Sequence, residues 1–177
     1  GGFSPLEGFM GRADYERVFS DYLGVQQTIW LGRGISGDDT HGHVDDLARF
    51  VDARTVVAVA TEDRGNPDYA PLAENLDRLR KATDQDGRPL CVVTLPCPAP
   101  LVFDGIRLPA SYANFYIGGS VVLAPTFDDP NDRKALGILA DLFPARTVVG
   151  IHAVDLVWGF GTLHCLTQQE PEPPPGA

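Results

Sequence analysis

The residues of this chain that could do chemistry concentrate in "THGHVDD", at residues 40–46, and in "GFGTLHCLTQQ", at residues 159–169. The first stretch brings two imidazoles and two carboxylates close together, and the second supplies a thiol. These residue types allow two kinds of reaction. One is hydrolysis by a bound zinc ion, and the other is nucleophilic attack by a cysteine that a histidine and a carboxylate assist.

The zinc hypothesis rests on His41, His43 and Asp45, which alternate along the chain and could point toward one metal ion. The run resembles the H-x-H-x-D-H element of metallo-β-lactamase-like hydrolases, but Asp46 stands where that element has its last histidine. The chain has 4 histidines, so a two-zinc site would use nearly all of them. A zinc-dependent hydrolase is the alternative interpretation, and a solvated loop is the non-catalytic one.

Cys165 is the residue that favours thiol chemistry. It follows His164 and a glycine-broken turn, and the polar "TQQ" comes soon after it, which indicates backbone that turns close to a ligand. Its other interpretation is a small buried residue in the last strand. Cys91, in an apolar strand, and Cys97, between prolines, are predicted to be buried structural residues.

The composition limits the classes of partner. The net charge of −10 disfavours binding to nucleic acid and is compatible with a small cationic substrate. The 3 cysteines lack the regular spacing of a disulfide framework, and no apolar run reaches the length of a membrane span. We therefore expect a cytoplasmic protein with no membrane partner.

The elements that must position these residues are those of an α/β fold with short strands. Helices are predicted at residues 12–23, 69–83 and 132–143. Strands are predicted at 27–32, 44–51, 55–61, 89–96, 112–125, 146–152 and 161–169, the fifth being a pair broken at Gly118 and Gly119. This order contains two blocks of strand pair, helix and strand, which could be structural repeats.

Five stretches of the sequence resemble the agmatine deiminase family. They are "IWLGRGISGDDTHGHVDDLARFV", "NPDYAPLAENLDRLR", "LPASYANFYIGGSVVLAPTFDDPND", "LFPARTVVGI" and "GTLHCLTQQEP". The resemblance runs from residue 21 to 171 and covers the C-terminal half of that family, which belongs with peptidylarginine deiminases to the guanidine-modifying superfamily. It implies a partial pentein-type α/β propeller built of ββαβ modules.

The resemblance also implies roles for individual residues. The family's two site elements, G-H-x-D and H-C-x-T, match Gly42, His43 and Asp45, and His164, Cys165 and Thr167. Cys165 would be the nucleophile, His43 the general acid and base, and Asp45 the carboxylate that binds the guanidinium. Asp39 and Gly161 are expected to contribute to substrate binding. His41 stands where relatives commonly have an aspartate, and the resemblance implies neither a metal nor an organic cofactor.

The implied reaction is hydrolysis of the guanidinium of agmatine to N-carbamoylputrescine and ammonia, through a thiouronium on the cysteine, as a step of putrescine and polyamine biosynthesis. A peptidyl-arginine substrate is an alternative, because in this family some of the residues that contact the rest of the substrate lie in the N-terminal half. That half also carries a second guanidinium-binding aspartate. The chain alone is therefore expected to be inactive, unless a homo-oligomer closes the ring.

Three segments are predicted along the chain. Residues 1–20 are an atypical N-terminal segment, of which residues 1–18 resemble part of ATP sulfurylase but lack its H-x-x-H nucleotide site. Residues 21–170 form the deiminase-like part. Residues 171–177 are a disordered, proline-rich tail.

Overall fold

A computed structural model describes residues 10–38, 42–168 and 170, and its first element is helix α1 (Arg12–Leu23). The helix ends as predicted at Gly24, whose φ of 67° is one that most side chains avoid. No residue of α1 is buried. Trp30 holds the helix to the chain that follows, because its Nε1 donates to Glu16 Oε1 at 2.7 Å.

Two modules with the same order of strand, strand, helix and strand make up most of the remaining fold. The first consists of β1 (Ala48–Phe50), β2 (Thr55–Val59), α2 (Tyr69–Lys81) and β3 (Cys91–Leu95). Strand β1 pairs antiparallel with β2, and β2 pairs parallel with β3 across the crossover helix. Helix α2 buries Leu72 and Leu79, as the spacing of its leucines predicts.

The second module repeats this plan after a short hairpin of β4 (Val102–Phe103) and β5 (Ile106–Arg107). It consists of β6 (Tyr116–Ile117), β7 (Val121–Thr126), α3 (Asp132–Leu142) and β8 (Thr147–His152). Strand β6 pairs antiparallel with β7, and β7 pairs parallel with β8. The two blocks expected from the sequence are therefore structural repeats.

Strand β2 contributes to both hydrophobic cores. Val56 and Ala58 belong to the core of the first module, whereas Val57 belongs to the core that the second module mainly builds. Side chains alternate across a strand, so β2 is buried on both of its faces. Because burial of one valine is worth about 1.5–3 kcal/mol, Val57 couples the two modules energetically.

The segment 108–115, which leads into β6, is buried although it is neither helix nor strand. Its least exposed members, at 1% or below, are Ser111, Tyr112, Ala113, Asn114 and Phe115. A buried loop has to find partners for its polar groups. Ser111 Oγ accordingly donates to the carbonyl of Asp46 at 2.8 Å, which ties this segment to the start of the first module.

Four predicted strands are wrong in whole or in part; in the pair predicted at 112–125, residues 112–115 form no strand. Residues 27–32 form no strand, because their backbone bonds to side chains of α2; Gly32 N–H donates to Asn75 Oδ1 at 2.6 Å. Within the predicted strand 44–51, Val44–Asp46 form a 3₁₀ helix instead. The predicted last strand is replaced, over its described residues, by a turn at 163–166.

The prediction for Cys91 is also wrong, since its side chain is exposed. The reason is its position on β3, which is an edge strand with one partner, β2. Cys97 is partly buried, as expected of a structural residue, and its Sγ lies 3.6 Å from the carbonyl of Ala60. Burial raises the pKa of Cys97 to about 12, so this thiol is unreactive at neutral pH.

The α/β class is confirmed. In the part of the chain that the structure describes, the strands form three separate sheets, so the partial propeller stays a prediction. The described ranges also contain no helix that combines the length and the apolar character needed to cross a bilayer. The tail at 171–177, predicted to be disordered, lies outside the described residues.

Candidate active site

Cys165 lies in a turn that follows the second module. Strand β8 leads into a 3₁₀ helix at Leu156–Gly159, and Phe160 then adopts a left-handed φ of 62°. Gly161 packs so tightly against the turn that a Cβ there would lie 2.7 Å from Cys165 Sγ. Position 161 therefore requires glycine, because any side chain would displace the sulfur.

The amide oxygen of Asn114 holds this turn. It accepts hydrogen bonds from the backbone N–H groups of Thr162, His164 and Cys165, at 3.2, 3.0 and 3.3 Å. The hydroxyl of Thr162 donates to the same oxygen at 3.0 Å. Asn114 is fully buried, so these bonds satisfy a polar atom that water does not reach.

The amide nitrogen of Asn114 faces the residues that could do chemistry. Its distances are 2.9 Å to Asp46 Oδ1, 3.1 Å to Asp45 Oδ2 and 3.1 Å to Cys165 Sγ. An amide nitrogen carries two hydrogens, so it can serve two of these three acceptors at a time. Asn114 thus joins the turn after the second module to the start of the first.

Asp45 connects the thiol to a histidine. Its Oδ2 lies 2.6 Å from His164 Nδ1 and 3.2 Å from Cys165 Sγ. Burial alone would raise the pKa of Asp45, but hydrogen bonds from His164 and Cys165 outweigh it and hold the pKa below its ordinary value. Asp45 is therefore a carboxylate at neutral pH and can bind a cation.

Asp46 is a buried acid, and the residue is 1% exposed. Among the described residues, its Oδ2 has no hydrogen-bond partner. Burial, and next the charge of Asp45, raise the pKa of Asp46 to about 7. A large fraction of Asp46 is thus protonated near neutral pH, which limits the negative charge beside the thiol.

Burial, Asn114 and Asp45 have the largest effects on the ionisation of Cys165, and the charge of Asp46 adds a smaller one. Burial raises the pKa of the thiol, the hydrogen bond from Asn114 lowers it, and the carboxylate of Asp45 raises it again. The net result is a thiol pKa above the ordinary value. A cation bound to Asp45 would offset the effect of that carboxylate and favour the thiolate, which is the nucleophilic form.

His43 is held by Asp38. Its backbone N–H donates to Asp38 Oδ2 at 2.5 Å, and its Nδ1 lies 3.2 Å from Asp38 Oδ1. The side chain of Asp38 is 2% exposed and that of His43 is 48% exposed. The buried carboxylate thus orients an imidazole that solvent can reach.

The predicted site residues have different outcomes in the structure. Cys165, Asp45 and Gly161 lie together, whereas the contacts that place His43 are with Asp38. Asp39 lies outside the described residues. The catalytic and substrate-binding roles given to these residues stay predictions.

The zinc hypothesis also stays a prediction, because His41 lies outside the described residues. Its other two ligands have separate partners, since His43 contacts Asp38 and Asp45 contacts His164. Across residues 10–38, 42–168 and 170, no three His, Cys, Asp or Glu side chains are grouped so that they could hold a metal ion.

The sequence failed to identify Asn114 as part of the site. One signal was available: Asn114 lies in "SYANFY", a run of small and aromatic residues where a buried amide needs partners for both of its polar atoms. Those partners are at least 48 positions away along the chain, so spacing cannot identify them. The contact between His164 and Asp45 is missed for the same reason.

Comparison with known proteins gives this geometry a family context. The profile of the Porphyromonas-type peptidyl-arginine deiminase family matches residues 7–171. The match includes most of residues 1–18, the stretch that resembles ATP sulfurylase, and all three of Asp45, Asn114 and Cys165.

Individual relatives match over most of the chain. The agmatine deiminase of Pseudomonas aeruginosa is 36% identical over 182 residues, which cover 93% of this chain and 50% of that protein. The structure of the agmatine deiminase of Enterococcus faecalis superposes with a TM-score of 0.88 at 37% identity, over 92% of this chain and 49% of that one. A cysteine-to-serine variant of the C. jejuni agmatine deiminase, with substrate bound, gives a TM-score of 0.81 at 32% identity, over 88% of this chain and 45% of that one. The chain spans about half the length of the curated relatives that it matches.

Proposed function

Because this chain belongs to the Porphyromonas-type peptidyl-arginine deiminase family, we propose that it carries the nucleophile of a guanidine-hydrolysing enzyme, and that Cys165 is this nucleophile. The observation that carries the proposal is the distance of 3.2 Å between Cys165 Sγ and Asp45 Oδ2. A cation held by Asp45 would lie beside the sulfur, where its central carbon is open to attack.

The proposed substrate is agmatine, a small guanidinium compound. The support comes from the relatives, which are named agmatine deiminases, and from the substrate-bound structure of one of them. The net charge of −10 is compatible with a cationic substrate. A peptidyl-arginine substrate is the alternative, which the description of the family supports.

The first step of the proposed reaction is formation of a covalent adduct. The carboxylate of Asp45 accepts N–H hydrogen bonds from one edge of the planar guanidinium and holds it in place. The positive charge of this cation favours the thiolate of Cys165. The thiolate attacks the guanidinium carbon, so that a C–S bond forms and the π electron pair moves to nitrogen.

The second half of the reaction needs a group that gives and then takes a proton, and we assign it to His43. As one C–N bond breaks, the imidazolium donates a proton and the nitrogen leaves as ammonia, which leaves a thiouronium on Cys165. The neutral imidazole then accepts a proton from water, whose oxygen attacks the same carbon. Cleavage of the C–S bond releases N-carbamoylputrescine and restores the thiol.

The site needs a further acidic group in this proposal. A guanidinium offers more N–H donors than Asp45 can accept. We assign the second carboxylate to residues beyond this chain, in a pentein-type ring to which the two modules contribute.

The proposal is tested by comparing two alkylating probes on purified residues 1–177. 2-Chloroacetamidine carries an amidinium that resembles the guanidinium, and 2-chloroacetamide is its neutral counterpart. With either probe the sulfur displaces chloride, so a C–S bond forms as the C–Cl bond breaks. The exposed Cys91 serves as the internal reference for the intrinsic reactivity of the probes.

We expect the ratio of amidine rate to amide rate to be about tenfold higher at Cys165 than at Cys91, because Asp45 attracts the cation. In the Asp45→Asn variant, the ratio at Cys165 should fall to that at Cys91. Equal ratios at the two cysteines of the unsubstituted chain would refute the proposal. Stoichiometric zinc in the purified chain would instead favour the metallohydrolase built on His41, His43 and Asp45.

A further inference from the structure

We propose that Asp68 is a positioning residue for His43: its buried carboxylate, paired with Arg107, fixes the turn whose last residue, Asp38, orients the imidazole. The inference rests on the proposed function for the part that His43 plays in proton transfer. Its test follows the imidazole itself and needs no turnover.

Asp68 lies directly before α2, at the position where a carboxylate commonly caps a helix. Within the part of the chain that the structure describes, its side chain makes no such bond to the helix. Oδ1 instead accepts hydrogen bonds from the backbone N–H and the hydroxyl of Ser36, at 2.8 and 2.6 Å. The carboxylate therefore serves a segment 32 positions away along the chain rather than its own helix.

Arg107, the last residue of β5, provides the positive charge that a buried carboxylate needs. Its guanidinium donates to Asp68 Oδ2 at 2.8 Å, and the two side chains are 24% and 5% exposed. Removal of one partner from such a pair leaves an uncompensated buried charge, which is strongly destabilising. Because hydrogen bonds to an ionised acceptor are stronger than those to a neutral one, the pair holds Ser36 firmly.

Ser36 is a central residue of a turn that ends at Asp38. The N–H of Asp38 donates to the carbonyl three residues before it, at 3.4 Å, and Ser36 and Gly37 lie between the two. Gly37 has a φ of 96°, and a Cβ there would lie 2.6 Å from the carbonyl oxygen of Arg107. Asp68 thus holds one central residue and the backbone of Arg107 restricts the other, which fixes the direction in which Asp38 leaves the turn.

The position of Asp38 decides which nitrogen of His43 can act as a base. Asp38 Oδ1 lies 3.2 Å from the imidazole Nδ1, and Oδ2 accepts the backbone N–H of the same histidine. A hydrogen bond from Nδ1–H to the carboxylate favours the neutral tautomer in which Nε2 carries the lone pair. Nε2 is then the atom that accepts and returns a proton. A turn that moves would carry Asp38 away from Nδ1 and release this tautomer.

The inference is tested by nitrogen-15 NMR of the His43 imidazole in purified residues 1–177, at a pH high enough to keep the ring neutral. Asp68→Ala removes both oxygens, whereas Asp68→Asn keeps an oxygen for Ser36 but loses the ion pair with Arg107. We expect the ratio of the Nδ1–H to the Nε2–H tautomer to fall several-fold in Asp68→Ala and by a smaller factor in Asp68→Asn. An unchanged ratio in both variants would overturn the inference.

Asp63→Asn is the matched control for a general disturbance of the loop before α2. The carboxylate of Asp63 lies in the same loop, and its Oδ1 accepts the N–H of Gly65 at 2.8 Å. We expect the tautomer ratio of His43 to stay that of the unsubstituted chain. A fall as large as that in Asp68→Ala would show that loosening of this loop, rather than the loss of the Asp68 carboxylate, acts on the imidazole, and would also overturn the inference.

Amide hydrogen exchange in the unsubstituted chain is a second measurement, which does not depend on how the Asp68 variants fold. If Asp68 holds the turn and Asp38 as one unit, the amide hydrogens of Ser36 and His43 should exchange through the same opening, with protection factors within about tenfold of each other. A larger difference would contradict the inference. If the imidazole behaves as expected but Cys165 shows no preference for the amidinium probe, the proposed function fails and the role of Asp68 in placing His43 stands.

Discussion

Asn114 and Asp46 occupy the same place in the two modules and hydrogen bond to each other, from Nδ2 to Oδ1 at 2.9 Å. Asp46 precedes Ala48, the first residue of β1, by two positions, and Asn114 precedes Tyr116, the first residue of β6, by two positions. The same point of the repeat therefore provides a carboxyl in one module and an amide in the other. The candidate site lies where the two modules begin.

Asp45→Asn should make Cys165 a stronger acid. The Asp45 carboxylate raises the pKa of the thiol, so its removal leaves more thiolate at neutral pH. Alkylation by neutral iodoacetamide should accelerate several-fold while the preference for the amidinium probe disappears. The exposed Asp155→Asn is the control and should change neither rate. Slower alkylation of Asp45→Asn by the neutral reagent would contradict this account of the thiol.

Gly161→Ala should disable the thiol with little effect on the rest of the fold. A Cβ at this position would lie 2.6 Å from the Cβ of Cys165, so the turn has to shift. A displacement of about 1 Å can cost around a hundredfold in a positioned reaction, so labelling of Cys165 by 2-chloroacetamidine should fall by up to that factor. Gly159→Ala, in the same loop, meets nothing within 4 Å and should label normally. Comparable losses in both variants would point to general loosening of the loop.

Asp46→Asn should increase the free energy of unfolding, relative to the unsubstituted chain, as pH rises from about 4 to about 7. The pKa of Asp46 is raised to about 7 in the folded chain, so the unfolded chain releases its proton at lower pH. Asp46 therefore contributes most favourably below its unfolded pKa of about 4, and this contribution is lost as pH rises through 7. Relative to the unsubstituted chain, Asp46→Asn should gain stability between those limits, by up to about 4 kcal/mol. Urea titrations across this range measure the difference, and a difference that stays flat would show that Asp46 is ionised throughout.

Periodicity and residue type were sufficient to predict the helices, the buried strand β2 and the strand pair at β6 and β7, because their apolar residues repeat within the element itself. The strand predicted at 27–32 failed because Asn75, far along the chain, takes the place of a strand partner. The strand predicted at 161–169 failed for the same kind of reason. Its residues 163–166 form a turn, whose backbone N–H groups bond to the side chain of Asn114. Long-range side-chain bonds leave no periodic trace in a sequence.

The candidate site was partly predictable. The thiol and the carboxylate, Cys165 and Asp45, were identified from their types and from the family resemblance, and the structure places them in contact. The contact of Asp45 with His164 could not be derived, because it depends on how the two modules pack.

The two histidines should differ when a complete enzyme that contains this chain is assayed with agmatine. His43→Ala should lower kcat by about a hundred- to ten-thousand-fold, the usual range for loss of a general acid and base. His164→Ala removes a partner of Asp45 and should act mainly on KM. A larger loss of kcat in His164→Ala than in His43→Ala would reassign the proton transfers to His164.

Residues 1–177 should show little turnover of agmatine by themselves. One carboxylate, Asp45, cannot orient every edge of a guanidinium, and poor alignment alone can cost around a hundredfold. Ammonia release should be measured together with the molar mass by light scattering, because a second copy could supply the missing group. Turnover on the order of 1–10 per second from a monomer would show that residues 1–177 contain a second carboxylate for the substrate.

The shared burial of β2 limits how this fold can be recombined. Val57 packs in the core of the other module, and Asp46 bonds to Asn114 across the same boundary. A crossover between related genes within residues 96–107 would join a first module to a second one that had never been matched to it. In such a chimera, Val57 would pack against a core from a different protein, and Asp46 would face a residue that was not selected together with it. We therefore expect recombination to preserve the two modules as a pair, because a single ββαβ module does not fit a partner from another protein.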